Sequence, residues 1–374
     1  MTKAAELAKI GEVATNSQIG RKNIAINGAM QISQRSTSVT GLGAATGYFT
    51  LDRWVMVEND ASAGRFTMSQ SAVTDLAGFS NALKIDCTTA DTSIAAGEVL
   101  TITQRIEGLN LQQLKASSTS TKAFTVSYYA KSNASRAIAL EIHTTEGTNK
   151  QISALHTIGT SWARYSMTVP AASSTELDND NTEAMQVNLW LHGGSTFTGG
   201  TLNTGALAAS TNANRAAGIG SIFASTDNEI EITGFQIEVG SQATPFEHRS
   251  FGEELALCQR YYVQVGPYPS SSGYGALAIF ATADGNSGFS LIDFPVYMRA
   301  EPTLTHTGTA TDYNLYVANS HKAGSGGFSI SSGDTLKHTL LYTEHSSTTT
   351  AGQVGTLTTA SNNTDAFLGF VAEL

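Results

Sequence analysis

The chain has 374 residues, of which only 14% are charged, with a formal net charge of −10 and an isoelectric point near 5.2. This length exceeds the size at which a single hydrophobic core stops growing, so the sequence predicts two domains and a short extra element. No run of Lys or Arg could neutralise a row of phosphates, which argues against nucleic acid and against an anionic membrane surface as the main partner.

The cysteine pattern and the lengths of the apolar stretches indicate the cellular compartment in which the chain is made. Cys87 and Cys258 lie far apart in unrelated contexts, which predicts two free thiols and neither a disulfide framework nor a metal site. The N-terminus lacks the apolar core of a secretory signal, and no stretch approaches the about 20 apolar residues of a membrane helix. We therefore expect synthesis in a reducing cytoplasm, without a signal peptide and without membrane insertion.

A helical spacing opens the chain in residues 1–20. It sets four apolar residues on one face, Ala4, Leu7, Ala8 and Ile10. A lone helix of this length is marginal in water. We therefore expect an N-terminal helical segment that packs against the body of the chain, a symmetry-related copy or a docking partner.

From about residue 21 to 250 apolar and polar residues alternate, as in half-buried antiparallel strands. The alternation is clear from Phe124 to Ala130 and from Val187 to Leu191. Such strands, separated by clusters of Ser, Thr, Asn and Gly, predict a two-sheet jelly-roll β-sandwich over residues 21–250.

Two segments of this region depart from plain alternation. Between Glu229 and Val239 the apolar set changes from even to odd positions, which predicts a β-bulge at Gly234. The polar segment from about 194 to 220 is too long for a tight turn. We interpret it as an extended loop or arm, a kind of element that often carries function or contacts between subunits.

The last third of the chain begins with a second helical pattern. Ser250 precedes Glu253 and Glu254, a capping residue before an acidic first turn, which predicts a helical connector over residues 251–262. Strand patterns resume in residues 263–374, including 276–280 and 366–371. The fold class predicted for the whole chain is therefore mainly β, with an N-terminal helix, a jelly-roll sandwich and a smaller C-terminal β-sandwich.

Several motifs occur in an order typical of one group of proteins. They are residues 23–31 with Gln34-Arg35, Leu51-Asp52-Arg53-Trp54, residues 126–132, residues 161–166, residues 236–247 and residues 257–262. This ordered set resembles the carbohydrate-binding-module-like sandwiches of bacteriophage tail fibres and tail appendages. Residues 294–304 and 372–374 resemble the distal domain of such fibres. The chain departs from the family at Ala29-Met30 and Ile32-Ser33, where bulkier or aromatic residues are common.

The resemblance implies a virion structural protein that presents a non-catalytic, multivalent surface to a host glycan or receptor. We expect a homotrimer, because weak contacts repeated over several chains reach useful avidity. Residues 1–20 would dock to other tail or capsid proteins, residues 263–374 would form the distal tip, and the protein would reside in the virion after synthesis in the host cytoplasm. Two alternatives stay open: a purely architectural capsid decoration or head fibre, and a surface-glycan depolymerase.

Aromatic residues are the candidate contacts, because the C–H face of a sugar packs on a ring while its hydroxyls reach polar neighbours. Trp54 and Trp162 are expected in the core. Trp190 lies on the opposite face of its strand from the apolar residues, either exposed or covered by the segment 194–220. The candidate glycan or receptor contacts are Trp190, Tyr268, Tyr274, Tyr313, Tyr316 and Tyr342, with packing as the alternative for each.

Motifs for catalysis and metal binding are missing from the sequence. A depolymerase needs two carboxylates about 5 to 10 Å apart, and 31 acidic residues allow such a pair. The segment Leu177–Glu183 has closely spaced oxygen ligands of the kind calcium prefers, with a solvated acidic loop as the alternative. Arg35, Asp52, Arg53 and Glu247 are expected to form a structural polar cluster. We predict no catalytic, cofactor-binding or metal-ligating residue, and no cofactor.

Overall fold

The computed structural model describes residues 21–59, 62–173, 177–267, 273–330 and 336–374. The described chain is mainly β and its strands pair antiparallel, as predicted. It forms two compact units, a first that extends to Glu254 and includes Leu374, and a second from Leu255 to Glu373. The helix predicted in residues 1–20 lies outside the described residues. Within the described ranges, no helix is long and apolar enough to cross a membrane.

The first unit is a β-sandwich. Its strands are β1 Ser38–Leu42, β2 Val55–Asn59, β3 Arg65–Ala72, β4 Asn81–Thr89, β5 Val99–Glu107, β6 Lys115–Ser117, β7 Ser120–Thr121, β8 Phe124–Ser132, β9 Arg136–Thr144, β10 Lys150–Ile158, β11 Ala163–Val169, β12 Ala172–Ser173, β13 Glu183–Gly193, β14 Ala208–Ala209 and β15 Glu229–Val239. Sheet I has the order β1-β3-β4-β15-β8-β11, sheet II has the order β14-β10-β9-β13-β5-β2, and β12-β7-β6 form a small third sheet. Short 3₁₀ helices occur at Gly108–Leu114, Asn212–Asn214 and Ile222–Ala224.

Alternating side chains of sheets I and II fill the core between them. Val126 and Tyr128 point inward from β8, and Leu140 and Leu189 point inward from sheet II. Trp54 is fully buried among them, with its ring edge-on to a neighbouring phenylalanine, so its predicted core role is confirmed. The core prediction for Trp162 is wrong. Its half-buried indole lies at the surface because it donates a hydrogen bond to Asp75 and packs under the ammonium of a lysine.

The predicted bulge in β15 is confirmed. The pairing of β15 with β8 shifts by one residue between Thr233 and Gln236, and Gly234 takes a φ of +61°. A Cβ at this position would lie 2.7 Å from the Phe79 ring and 2.8 Å from the Tyr129 ring. Glycine is therefore required both by the backbone conformation and by the space available.

The polar segment 194–220 folds back on the molecule and is not the extended arm that its composition suggested. It begins with helix α1, Ser195–Thr198, and it lies over the outer face of sheet II. Phe197 and Ala216 are buried there against Trp190. The segment is not extended because this small apolar cluster and several backbone hydrogen bonds hold it on the sheet.

The second unit is a smaller β-sandwich, as predicted. It begins within helix α2, Phe251–Gln259. Its strands are β16 Tyr262–Val265, β17 Ala276–Thr282, β18 Ser287–Asp293, β19 Thr303–His306, β20 Tyr313–Val317, β21 Ser320–Ala323, β22 Ser329–Ile330, β23 His338–Glu344, β24 Val354–Thr359 and β25 Leu368–Val371. A 3₁₀ helix occurs at Ala310–Asp312. The sheet β16-β25-β19 and the seven-stranded sheet β21-β20-β24-β17-β18-β23-β22 enclose one apolar core.

Candidate functional site

The outer face of sheet II, opposite to the main core, is polar and yet largely buried. Outward side chains of β5, β9, β10 and β13 lie under or beside the segment 194–220, and the most buried of them are Thr101, Thr103, Glu141, Gln151, Ser153, Asn188 and Trp190. A sheet face that merely met water would expose such residues. Because buried polar groups need partners, their hydrogen bonds define how this surface is organised.

Glu141 of β9 is the centre of this network. Its side chain is fully buried, and both carboxylate oxygens are engaged. Arg215 donates to them from Nε at 2.7 Å and from Nη2 at 2.9 Å. The Trp190 indole donates at 2.8 Å and the Asn188 amide at 2.9 Å. Four donors, two of them charged, compensate the desolvation of one carboxylate.

Trp190 lies on the face opposite to Val187 and Leu189 of its strand, as the alternation predicts. Its ring is only 1% exposed, so of the two alternatives the covered one applies. The guanidinium of Arg215 lies 5.0 Å from the ring centroid, and Phe197 packs against the ring at 5.3 Å. Trp190 is therefore held rigidly, by one hydrogen bond and by two packed neighbours.

A cavity of about 210 Å³ opens beside this network on the outer face of sheet II. Its walls combine apolar groups with amides, a hydroxyl and two guanidinium groups, and the lining residues are Val57, Asn59, Val99, Thr101, Arg105, Gln186, Asn188, Trp190, Phe197 and Arg215. The volume equals that of about seven water molecules at about 30 Å³ each. The lining therefore combines ring and aliphatic atoms with hydrogen-bonding groups.

His143 adds a titratable group at the margin of this face. Burial lowers the pKa of its imidazole below the ordinary value, and the neighbouring Arg215 lowers that pKa further, whereas Glu141 acts in the opposite direction. The imidazole is therefore neutral at neutral pH. The charge of the network at that pH is carried by the pair Glu141 and Arg215.

The second unit brings together two of the predicted aromatic contacts. Tyr274 stacks on His321, with ring centroids 3.4 Å apart and an interplanar angle of 11°, and Tyr316 lies 4.7 Å from the same imidazole. Tyr274 is 42% exposed and Tyr316 is 40% exposed. The three rings form an aromatic cluster at the β20–β21 edge of the seven-stranded sheet.

The other predicted residues of this unit do not join the aromatic cluster. Tyr313 is fully buried, and its hydroxyl donates to the Phe367 carbonyl at 2.6 Å. Its predicted surface role is therefore corrected, because β20 turns this side chain into the core. Tyr342 is half-buried beside Phe289, and Tyr268 lies outside the described residues.

Several residues of the cavity and of the aromatic cluster were not singled out from the sequence. Gln186 and Asn188 alternate with apolar residues on the same face as Trp190, so the strand pattern could have indicated them. Arg215 gave no such signal, because it lies 74 positions from Glu141 in a segment without periodicity. His321 follows a turn, and only its cross-strand pairing with Tyr316 brings the two together.

The remaining polar candidates have local structural roles. Arg35 approaches Asp52 at 3.8 Å, and Glu247 accepts a hydrogen bond from the backbone of Asn23. In the acidic loop, hydrogen bonds from Thr182 lower the pKa of Asp180. Among the residues that the structure describes, no group of three His, Cys, Asp or Glu side chains is placed to hold a metal ion.

No protein-family model matches the chain, and neither does any curated protein. Among solved structures, the enzymatically active domain of tailspike protein 4 of bacteriophage CBA120 is similar over 58% of this chain and 21% of its own, with 12% identity and a TM-score of 0.30. TmCBM61 in complex with β-1,4-galactotriose is similar over 59% of this chain and 99% of its own, with 9% identity and a TM-score of 0.28. The family 11 carbohydrate-binding module from Clostridium thermocellum, in complex with a mixed-linked tetrasaccharide, covers 56% of this chain and 99% of its own, with 9% identity and a TM-score of 0.27.

The chain thus spans about a fifth of the length of the tailspike domain. At such identities and TM-scores, none of these likenesses shows a family, a ligand or an activity for this chain.

Proposed function

We propose that the first unit binds a carbohydrate, without catalysis, in the cavity on the outer face of sheet II. One observation carries the proposal: Trp190 and Phe197 line a cavity together with the amides of Asn188 and Gln186. A sugar suits this combination, because its C–H groups pack on apolar atoms while its hydroxyls exchange hydrogen bonds with amides and guanidinium groups. The size of the cavity suits a single ring and its immediate substituents.

The rigid lining of the cavity and its lack of carboxylates favour binding of a carbohydrate over its hydrolysis. Glu141 fixes Trp190, Asn188 and Arg215 through its hydrogen bonds, so little side-chain freedom is lost when a ligand enters. Glycoside hydrolysis needs an acid and a second carboxylate on either side of the bond. The lining residues of the cavity include no Asp or Glu, and the buried Glu141 already has both oxygens occupied by donors. The site is therefore proposed to bind and not to cleave.

The setting we propose is a virion tail fibre or appendage that attaches to a host glycan or receptor. The ordered sequence motifs and the two β-sandwich units support it. We propose that three chains assemble, so that weak single sites give useful avidity, and that residues 1–20 dock the assembly to other virion proteins. A purely architectural capsid decoration or head fibre is the alternative, and a surface-glycan depolymerase is the less favoured one.

A second contact surface, for the receptor, is proposed in the second unit. The aromatic cluster of Tyr274, His321 and Tyr316 exposes two ring systems at a sheet edge, and Tyr268 is proposed to belong to the same receptor surface from its position in the sequence. Stacked aromatic residues offer contact area with little loss of conformational freedom. Tyr274→Ala should weaken attachment of particles to host cells and leave sugar binding by the cavity unchanged.

A glycan array probed with the full-length chain tests the proposed function. Binding of one related set of glycans supports the proposal, and the absence of binding at any multivalency favours the architectural alternative. Incubation with the bound polysaccharide, followed by measurement of reducing ends, separates binding from depolymerisation. Release of reducing ends by the purified chain would overturn the non-catalytic assignment.

A matched pair of variants assigns the binding to the cavity. Val57 lies half-buried at the edge strand of sheet II and lines the cavity, while Val39 lies half-buried at the edge strand of sheet I. Val57→Phe should fill part of the cavity and weaken binding, and Val39→Phe should not. Equal binding by both variants would remove the cavity from the proposal.

A further inference from the structure

The seven-stranded sheet of the second unit carries a large apolar surface on its outer side. Ile279 is 73% exposed, Val354 70% and Leu291 54%. Phe289 is 40% exposed and Leu340 39%. Single exposed apolar residues are ordinary on soluble proteins, whereas a contiguous patch indicates a contact surface.

Strand register makes this patch continuous. Leu291 of β18 is directly opposite Leu340 of β23, and Phe289 is directly opposite Tyr342. On the other side of β18, Phe289 pairs with Ala281 of β17, and Ala281 pairs with Val354 of β24. Ile279 lies two positions before Ala281 on the same face of β17. The resulting outer patch consists of Ile279, Ala281, Phe289, Leu291, Leu340, Tyr342 and Val354.

Charged residues lie only at the ends of the strands that carry the outer patch. Asp293 and Glu344 mark the two ends of the β18–β23 pair, and the positions between them that point outward are apolar or aromatic. An apolar centre with a polar rim is the usual anatomy of a protein interface. The chain has a net charge of −10, so a contact between copies is favoured at a surface that brings no acidic groups together.

The outer patch is large enough to form the apolar centre of a contact between copies. Its side chains expose an apolar area on the order of 500 Å², which is more than half of the about 800 Å² per partner in a standard interface. A flat sheet face also packs well against a second sheet face, at a spacing of about 10 Å. Its aliphatic centre of Ile, Leu and Val has no hydrogen-bonding groups to recognise a sugar.

We infer that the outer patch is covered by the second unit of another copy of this chain. The contact uses β17, β18, β23 and the end of β24. Tyr342 then serves self-association instead of receptor contact. The inference does not depend on the cavity of the first unit, because it concerns a separate surface with separate residues.

Sedimentation of the full-length chain at micromolar concentration tests the inference. The wild type should have a mass of at least two chains of 39.2 kDa each. Ile279→Glu should reduce the mass to that of a single chain, because it places a charge at the most exposed apolar residue of the patch. Val354→Glu is the second variant. Val354 lies at the end of a strand, where water solvates a charge in the unassociated chain, so this variant should still fold.

The matched control is Ile94→Glu, at an isoleucine of the first unit that is 43% exposed and lies outside the outer patch. It should keep the wild-type mass. A wild type that sediments as a single chain would overturn the inference, and so would a wild-type mass retained by folded Ile279→Glu and Val354→Glu. Circular dichroism shows whether the variants are folded. A chain that assembles as expected but binds no glycan would contradict the proposed function and leave this inference intact.

Discussion

Arg215 and Glu141 form a two-pronged ion pair, in which Nε and Nη2 of the guanidinium donate to the two carboxylate oxygens at 2.7 and 2.9 Å. The pair ties the segment 194–220 to the outer face of sheet II. It also holds the ring of Trp190 between a guanidinium and a phenylalanine. The shape of the cavity therefore depends on a contact between two parts of the chain that are remote in sequence.

Arg215→Ala should destabilise the first unit by about 3 kcal/mol or more, because it leaves the charge of a fully buried carboxylate without its cationic partner. Urea denaturation followed by tryptophan fluorescence measures this change. All three tryptophans lie in the first unit, at positions 54, 162 and 190, so the signal reports the first unit alone.

The matched control for Arg215→Ala is Lys84→Ala, at a partly exposed ion pair with Glu229 in sheet I. Exposed pairs of this kind contribute about 1 kcal/mol or less. Equal losses of stability in the two variants would mean that the pair of Arg215 and Glu141 is not the buried anchor described above.

Gly234→Ala should destabilise the first unit by at least about 1–2 kcal/mol, since a left-handed backbone strains any residue with a Cβ and the Phe79 and Tyr129 rings occupy the space. Gly159→Ala is the control, at a position where an added Cβ meets nothing within 4 Å. Tryptophan-monitored denaturation of both variants compares the two sites. A change within about 0.5 kcal/mol at Gly234, as is usual for surface substitutions, would exclude a required bulge glycine.

The stability of the first unit should fall as pH is lowered from about 7.5 to 6. Burial lowers the pKa of His143 and of His156 in the folded chain, so near their unfolded pKa of about 6.5 the unfolded chain binds more protons than the folded one. Well above this pH the stability no longer depends on these histidines, because their imidazoles are neutral in the folded and in the unfolded chain. Each histidine that stays neutral contributes a slope approaching about 1.4 kcal/mol per pH unit.

Denaturation of His143→Gln across the same pH range checks the source of that slope. The variant should lose part of the pH dependence, whereas His248→Gln, at an exposed position, should keep it. A wild-type free energy of unfolding that is constant between pH 7.5 and 6 would contradict the neutral, buried imidazoles.

The sandwich architecture could be predicted because strand faces are encoded locally. In β8 and β13 every second residue points to the core. In β15 the apolar residues change from one face to the other, which indicates the bulge at Gly234. The same alternation separates Tyr313 from Tyr316 in β20, since residues of opposite parity lie on opposite faces. Applied there, it would have assigned Tyr313 to the core of the second unit.

The cavity could not be predicted from local pattern. Glu141 lies between Leu140 and Ile142 and has the pattern of a solvated outward residue, because its burial depends on the distant Arg215. The segment that supplies Arg215 has no apolar period, and the cluster of Phe197 and Ala216 that holds it in place depends on tertiary contact. Trp162 is the opposite case, an apolar residue that lies at the surface because its indole has polar partners there.

Titration calorimetry of the full-length chain, with a glycan selected on the array, tests carbohydrate binding by the cavity most directly. The expected result is one site per chain, with affinity reduced at least about tenfold, or about 1.4 kcal/mol, by Gln186→Ala and by Val57→Phe, and unchanged by Val39→Phe. Equal affinity in all four proteins, or no heat of binding with any glycan, would contradict it.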